Sequence, residues 1–358
     1  MKKLFSTLYV STQGAYISKE RENIVVSLQS KELFRAPVHL INSVVCFGNI
    51  MCSPFLLGLC AENNASVSYF TEYGRFIAKV QSPVSGNVLL RKQQYKYSDD
   101  GKFCLETAQS VLLGKLSNSR TVINRALRDH EDKISDSDKL KQVSDGLRRA
   151  IANVFNAENV DVLRGMEGDA AVAYFSVFNK LILNHKEEFF MPGRNRRPPK
   201  DRVNCLLSFV YTLLVHDVSS ALEGVGLDPQ VGFLHKDRPG RPSLSLDIME
   251  EFRSVIADRL VLTLINLSQV NANGFSESPS GGVIMDDENR KIVIDAYRKR
   301  KEEEIFHPFF KENIHIGLLS SCINSTYIIT YQNQHNIILF PNKWRICINI
   351  ASYISGKK

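Results

Sequence analysis

Acidic side chains recur along one stripe of an apolar stretch in the second half of the chain. From Leu244 to Leu267 the sequence is apolar on most sides of a helix, which is typical of a deeply buried helix. Residues three, four, seven and eleven positions apart lie on one side of a helix. The polar residues with this spacing are Asp247, Glu250, Glu251, Ser254 and Asp258. A solvated helix face would explain the stripe, and so would a buried group of cation ligands.

A histidine precedes this acidic helix. His235 ends the apolar segment that begins at Gly232, and the polar loop 236–242, which contains proline and glycine, returns the chain to the helix. A lone histidine in such a place is usually a hydrogen-bonded core residue. Beside a helix with acids three residues apart, however, His235 is a better candidate for a metal ligand.

A third candidate, Glu167, is surrounded by small residues. Gly165 and Gly168 flank it, and Ala170 and Ala171 follow in the same predicted helix. Each glycine weakens a helix by about 1 kcal/mol relative to alanine, so the pair needs an explanation. Either two helices cross closely here, or another backbone or a DNA strand approaches Glu167. The sequence alone leaves both interpretations open.

Side chains from these three segments together favour a divalent cation. An imidazole and two carboxylates with open coordination positions suit Mg²⁺ or Mn²⁺. Such an ion can neutralise charge on a phosphodiester and lower the pKa of a bound nucleophile. The spacing therefore predicts a metal site. It does not choose Glu250 over Asp247 as the ligand from the acidic helix, and it does not say which reaction is catalysed.

The charge of the chain favours a polyanionic partner, although only weakly. The formal net charge is +7 and the isoelectric point is near 8.9. Segment 193–202 holds five basic residues against one acidic residue. Clustered arginines suit bidentate phosphate contacts, but a solvated surface is an equal alternative for Arg194, Arg196 and Arg197. The apolar run 205–215 is shorter than the roughly 20 residues of a membrane span, so we expect a cytoplasmic protein with no membrane contact.

The pattern of elements predicts an α+β fold. The first ninety or so residues contain short β-rich runs, which suggest a meander or sandwich, and Ser53 and Pro54 open a short helix. Helical apolar spacing dominates from about Leu89. We predict a small N-terminal β-sandwich-like domain (1–90), a hinge (91–97), a larger all-α catalytic domain that binds the metal (98–312) and a divergent tail (313–358).

Three ordered motifs carry a family resemblance. They are Gly165-Met-Glu-Gly168, Arg197-Pro-Pro-Lys-Asp-Arg-Val-Asn204, and the segment from Gly232-Phe-Leu-His235 through Arg253. Together they resemble the CRISPR-associated protein one family, the adaptation endonuclease and integrase. The stretch from Arg241 to Leu244 and the helix ending near Arg300 look most like the branch that accompanies type I-C systems.

The resemblance implies both an activity and a set of residues. Relatives insert short double-stranded DNA into the CRISPR array by attack of a 3′-OH on a phosphodiester, and they also act as metal-dependent nucleases. The implied ligands of Mg²⁺ or Mn²⁺, which are also the implied catalytic residues, are Glu167, His235 and Glu250, with Asp247 as a supporting group or alternative ligand. A homodimer and a complex with the small CRISPR-associated protein two are implied as well. The DNA-binding candidates are Arg194, Arg196, Arg197 and Arg241.

The tail departs from the family pattern. Residues 320–358 are rich in Ile and Asn and contain no acidic residue. We hypothesise a reading-frame shift in the gene. Two alternative functions stay open. With an altered tail, the chain could be a catalytically impaired, basic DNA-binding scaffold of the adaptation complex. Independently of the tail, it could be a metal-dependent hydrolase of small phosphate esters. The hydrolase would explain the acidic site but not the basic clusters or the family motifs.

Overall fold

A computed structural model describes residues 6–80, 88–279, 281–307 and 312–318. Strands fill the first of these ranges, and helices dominate the second and third, so the predicted α+β fold is confirmed. The elements up to residue 80 are β1 Ser6–Val10, β2 Tyr16–Glu20, β3 Asn23–Leu28, β4 Lys31–Pro37, β5 Ile41–Phe47, β6 Met51–Cys52, α1 Pro54–Glu62, β7 Ser66–Phe70 and β8 Phe76–Val80.

The N-terminal strands form two four-stranded sheets, ordered β1-β5-β7-β8 and β4-β3-β2-β6. Strands β1, β5 and β7 pair in parallel, so the first sheet is not the meander that the short runs suggested. Parallel neighbours need long crossovers. The hairpins β2–β3–β4 connect β1 to β5, and α1 connects β5 to β7. Helix α1 begins as predicted, because Ser53 Oγ accepts the amide N–H of Leu56 at 3.1 Å.

The remaining elements build the helical part. They are α2 Val88–Ser98, α3 Gly101–His130, α4 Ser137–Asn153, α5 Val160–Ser176, α6 Arg202–Gly224, α7 Ser243–Phe252, α8 Arg259–Asn266, β9 Phe275–Glu277, β10 Val283–Met285, α9 Asp287–Glu302, β11 Glu304–His307 and β12 Glu312–His315. The four short strands form two hairpins. Segment 91–97, predicted as a hinge, lies inside helix α2, and the division into domains stays a prediction. Most of the predicted divergent tail, 319–358, lies outside the described residues.

Two helices form the centre of the helical part. Helix α3 contacts α4, α5 and α7 and buries an almost continuous run from Thr107 to Ser119. Helix α6 is long and apolar enough by composition to span a membrane, unlike the shorter run considered from sequence. However, 61% of its most apolar window is buried inside the protein, as expected for a core helix. The site described below lies around α3 and α7.

A buried polar network joins the first sheet to α6. His216 of α6 is buried, and its Nε2 lies 3.1 Å from Ser43 Oγ on β5. Ser66 of β7 donates to the same Ser43 oxygen at 2.9 Å. Burial lowers the pKa of His216 from its ordinary value to about 4, so the ring is neutral and can accept a hydrogen bond. The neutral imidazole therefore belongs to the contact between the two parts of the chain.

This network makes stability depend on pH. A folded-state pKa of about 4 lies below the ordinary value of 6.5, so stability is full above about pH 6.5 and is lost toward pH 4. We expect the unfolding free energy of the wild type to fall by about 3 kcal/mol more than that of a His216→Gln variant over this range. Urea unfolding at each pH measures it. Ser66→Ala should keep the wild-type slope, and equal slopes for wild type and His216→Gln would contradict the assignment.

Candidate metal centre

The acidic stripe is buried. Asp247, Glu250 and Asp258 expose 0%, 2% and 1% of their surface, and Glu251 and Ser254 are buried as well. A solvated face is therefore excluded as the explanation. The stripe also does not lie on one continuous α-helix, because a π-helical turn from Arg253 to Asp258 separates α7 from α8. Buried carboxylates require cations or hydrogen-bond donors close by, and the surrounding elements supply both.

Asp247 holds the loop that carries His235. Its Oδ2 accepts the amide N–H groups of Phe233 at 2.6 Å and Leu234 at 3.0 Å. Its Oδ1 accepts the amide N–H of His235 at 2.9 Å and lies 2.6 Å from Nδ1 of the His235 ring. With Nδ1 donating to the carboxylate, Nε2 is the ring nitrogen that could bind a metal. His235 is thus neither on a free surface nor a fully buried core residue, since its side chain is 20% exposed.

Helix α5 supports the same loop and contributes Glu167. Asn159 caps the helix by accepting the amide N–H of Val162 at 3.0 Å. Arg164 Nε donates to the carbonyl oxygen of Leu234 at 2.5 Å, immediately before His235. Glu167 follows three residues later on the same helix. One element therefore fixes the histidine loop and brings a carboxylate to the site.

Two carboxylates from different helices converge on one ammonium group. Lys115 of α3 forms a hydrogen-bonded ion pair with Glu167 Oε1, and its Nζ lies 2.7 Å from Glu250 Oε2. Lys115 is 7% exposed. The buried Glu250 Oε2 has no hydrogen bond of proper geometry within the described ranges, although it faces the ammonium. A cation therefore occupies the place where Glu167 and Glu250 meet.

A close helix approach brings Lys115 to this place. A Cβ atom at Gly114 would lie 2.8 Å from Glu251 Cγ, so only glycine allows α3 to lie this near α7. One turn later, Asn118 Nδ2 donates to the carbonyl oxygen of Glu251 at 2.8 Å. Because Gly114 and Asn118 fix α3 against α7, Lys115 between them points its side chain at the carboxylates.

Glu250 stays ionised in this environment. Burial alone would raise its pKa, but the positive charges of Arg253 and Lys115 outweigh burial and lower the pKa to about 2. Arg253 pairs with Glu250 Oε1 at 2.9 Å, and its guanidinium lies 4.8 Å from the centre of the Tyr211 ring. Glu250 is consequently a charged carboxylate at neutral pH, as a metal ligand has to be.

Asp258, the last residue of the π-helical turn, has its pKa shifted in the opposite direction. Burial raises its pKa to about 6, although a hydrogen bond donated by the Tyr211 hydroxyl acts against the rise. The two buried acids of this region are therefore set apart by their surroundings. Glu250 faces two cations, whereas the main partner of Asp258 is a phenol.

Space lies open beside Glu167. Apart from the backbone of α5 itself, no atom of the described residues would lie within 4 Å of a Cβ atom at Gly165 or Gly168. A tight crossing with another helix of the described ranges therefore does not explain the glycines. The other interpretation, that another backbone or a DNA strand approaches Glu167, stays a prediction.

The carboxylates and the imidazole are suitable ligands for a divalent cation, but the three side chains do not converge on one point among the described residues. Across the described ranges, no three His, Cys, Asp or Glu side chains form a group that could hold a metal ion. The structure brings Glu167 and Glu250 together on a stand-in cation, the Lys115 ammonium. His235 lies near enough for a charge on its ring to lower the pKa of Glu250. Two carboxylates and an imidazole nitrogen remain a chemically suitable set.

The four arginines proposed for DNA binding differ in their surroundings. Arg196 and Arg197 are exposed, and Arg196 also borders the cleft next to Glu250. Arg241 is partly buried, and its pKa is lowered by burial and by the nearby charges of other arginines, Arg196 among them. Arg194 instead packs inward, with its guanidinium 5.3 Å from the Tyr211 ring centre and Nη1 2.6 Å from Asn204 Oδ1.

Comparison with known sequences identifies the family. The sequence model described as "CRISPR associated protein Cas1" matches residues 8–299. The chain belongs to the Cas1 family. It is 52% identical over 319 residues to a CRISPR-associated endonuclease Cas1 of Chlorobaculum tepidum. This match covers 89% of this chain and 93% of the relative. A Cas1 endonuclease of Rhodospirillum rubrum is 47% identical over 325 residues, again covering 89% and 93% of the two chains.

Solved structures agree on the Cas1 fold. A Cas1 protein of Thermotoga maritima superposes with a TM-score of 0.78 at 23% identity and covers 92% of this chain and 98% of its own. A casposase bound to its integration product also reaches a TM-score of 0.78, at 19% identity, covering 91% and 90%. At such identities the likeness shows the fold alone. The family resemblance read from the motifs is confirmed, whereas the type I-C branch stays a prediction.

Sequence reasoning missed several residues of this Cas1 site, and Lys115 is the most important. It lies between Leu113 and Leu116 on the buried face of α3. A lysine in the middle of an apolar helix face is rarely buried without a partner, and the glycine before it indicates a close approach. Those two features could have drawn attention to it. The roles of Arg253 and Tyr211 depend on long-range packing, for which the sequence gives no comparable indication.

The two kinds of glycine predict opposite effects on stability. Gly114→Ala should destabilise the protein by about 1–3 kcal/mol, because the methyl group forces α3 away from the Glu251 side chain. Gly168→Ala has open space and should instead stabilise α5 by about 1 kcal/mol. Chemical denaturation of both variants measures the difference. Equal changes in unfolding free energy would refute the close approach of α3 to α7.

Proposed function

We propose that this chain is a metal-dependent DNA endonuclease and integrase of CRISPR adaptation. It inserts short DNA segments into the CRISPR array by attack of a 3′-OH on a phosphodiester. The observation that carries the proposal is the convergence of Glu167 and Glu250 on one cation, with His235 presented beside them by Asp247. Membership of the Cas1 family and the "endonuclease" in the names of close relatives support it.

Glu167, His235 and Glu250 would hold Mg²⁺ or Mn²⁺. When bound, the ion would neutralise charge on the phosphodiester and lower the pKa of the attacking hydroxyl or water. Glu250 offers an ionised carboxylate, because Arg253 keeps its charge compensated. His235 would bind through Nε2, since Nδ1 donates to Asp247.

Asp247 is proposed to support the site instead of binding the metal. Four N–H groups already point at its two oxygens, three from the backbone of residues 233–235 and one from the His235 ring. To become a ligand it would have to give up at least one of these buried donors, which costs about 1–3 kcal/mol for each group left unsatisfied. Its carboxylate instead fixes both the orientation and the tautomer of His235.

Double-stranded DNA is the proposed substrate, and Arg196, Arg197 and Arg241 would contact its phosphates. The open space beside Gly165 and Gly168 leaves room for a strand to reach Glu167. Among proteins of similar fold, one is a casposase bound to an integration product and another is in a complex named for Cas1 and Cas2. By analogy with the second we propose a complex with the small CRISPR-associated protein two, and on the family resemblance we propose a homodimer.

Removing a proposed ligand should abolish the reaction without unfolding the protein. We expect Glu167→Gln and His235→Asn to slow strand transfer of a short duplex into a repeat-bearing plasmid, with Mn²⁺, on the order of 100-fold or more. Glu158→Gln, an exposed acid just before α5, is the matched control and should behave as wild type. Undiminished activity in both ligand variants would defeat the metal-site proposal. If the wild type binds DNA tightly without strand transfer, the chain is the impaired scaffold.

Arginine variants should separate phosphate contacts from packing. Arg197→Gln and Arg241→Gln should weaken DNA binding and lower the slope of log affinity against log salt by about 1 each, because each removes one phosphate contact. Arg194→Gln should mainly lower the unfolding temperature, since this guanidinium packs on Tyr211. Arg148→Gln, exposed on α4, is the control. Fluorescence anisotropy over a salt series measures the slopes, and unchanged slopes would exclude these two contacts.

A further inference from the structure

Lys115 is the cation at the point where the two proposed ligands meet. Its ammonium contacts Glu167 and lies 2.7 Å from Glu250 Oε2. The side chain of Glu250 is 2% exposed and that of Lys115 is 9% exposed, so water screens their attraction poorly. Like-charged carboxylates brought this close would repel each other without a cation between them.

The position of Lys115 is built into the fold. Gly114 permits the close approach of α3 to α7, and the hydrogen bond from Asn118 to Glu251 holds that approach one turn later. A flexible surface lysine could pair with many acids, but Lys115 starts from a backbone position that leads its side chain to the two carboxylates. The packing of α3 against α7 therefore determines where the Lys115 ammonium lies.

We propose that Lys115 is a resident counter-ion that a divalent cation must displace from between Glu167 and Glu250. The inference rests on the proposed metal site and adds a step before it is loaded. An ammonium between the carboxylates offsets their mutual repulsion in the metal-free protein. A second positive group in the same place would be repelled, so loading requires the Lys115 side chain to leave.

The Lys115 side chain lies beside a small cleft. This cleft opens toward solvent and is also lined by Glu250, Arg253 and Arg196. A lysine side chain has enough rotatable bonds to turn its ammonium toward solvent while its backbone stays fixed. Displacement therefore needs a change of rotamer and not a movement of α3.

Metal binding by a Lys115→Met variant tests this inference. If the ammonium occupies the site in about nine tenths of the molecules, its removal should raise the apparent affinity about tenfold. Free Mn²⁺ is measured by electron paramagnetic resonance in titrations of the full chain. Lys301→Met is the matched control, because Lys301 pairs with Asp217 at 2.8 Å and is 14% exposed but lies outside the cleft. Equal or weaker binding by Lys115→Met overturns the inference.

The salt dependence of Mn²⁺ affinity distinguishes displacement of the ammonium from long-range electrostatic repulsion by its charge. Removing any nearby positive charge attracts a cation more strongly at low salt. At about 1 M salt, where the Debye length is about 3 Å, long-range attraction is largely screened. The affinity ratio of Lys115→Met to wild type should persist there, because it reflects a group in direct contact. A ratio that falls to one overturns the inference.

A second measurement uses the wild type and does not depend on the folding of a variant. Reductive methylation with formaldehyde and cyanoborohydride labels accessible lysine amines, and mass spectrometry follows Lys115. Without metal, Lys115 should react slowly because it is buried and paired. Saturating Mn²⁺ should speed its labelling several-fold, with Lys301 as the internal reference. Unchanged or slower labelling contradicts displacement.

The outcomes distinguish this inference from the proposed function. If neither wild type nor Lys115→Met binds Mn²⁺, the metal site itself fails and the inference fails with it. If both bind with the same affinity, the metal site stands and only the role of Lys115 is refuted.

Discussion

The burial of several carboxylates on α7 and the π-helical turn is the constraint on which the rest of the site depends. An isolated buried carboxylate is strongly unfavourable, so each acid must obtain donors or cations from neighbouring elements. Asp247 obtains four N–H groups from residues 233–235, Glu250 obtains Lys115 and Arg253, and Asp258 obtains the Tyr211 hydroxyl. Each solution ties a different element to α7, so the compensation of charge also fixes the geometry of the site.

The compensating groups come from elements far apart in the chain. Lys115 is supplied by α3, Tyr211 by α6 and the histidine loop by the segment before α7. Arg164 of α5 then locks that loop through the carbonyl oxygen of Leu234. Because buried polar groups lose most when only one partner is removed, a change in any of these elements affects the others. The site and the helical core are therefore a single structural unit.

Local patterns in the sequence were sufficient for part of this arrangement. The polar stripe, the histidine loop and the small residues around Glu167 pointed to the correct segments, and the alternation of strand-like and helical patterns gave the α+β fold. What the sequence could not give depends on contacts between distant segments. Lys115 meets Glu167 across 52 positions, and the parallel pairing of β1, β5 and β7 depends on crossovers that short β-rich runs do not reveal. The π-helical turn also broke the single stripe that ideal helix spacing assumed.

The absence of a ready three-ligand group among the described residues has a physical reason. Two ionised carboxylates and an imidazole would be a poor arrangement in a buried place without a cation, because the carboxylates repel and neither is well solvated. A protein can relieve this repulsion by protonating an acid, by separating the ligands, or by placing one of its own cationic side chains between them. The pKa of Glu250 near 2 excludes protonation at neutral pH. The Lys115 ammonium pairs with both Glu167 and Glu250, so these two proposed ligands lie close to each other in the metal-free protein.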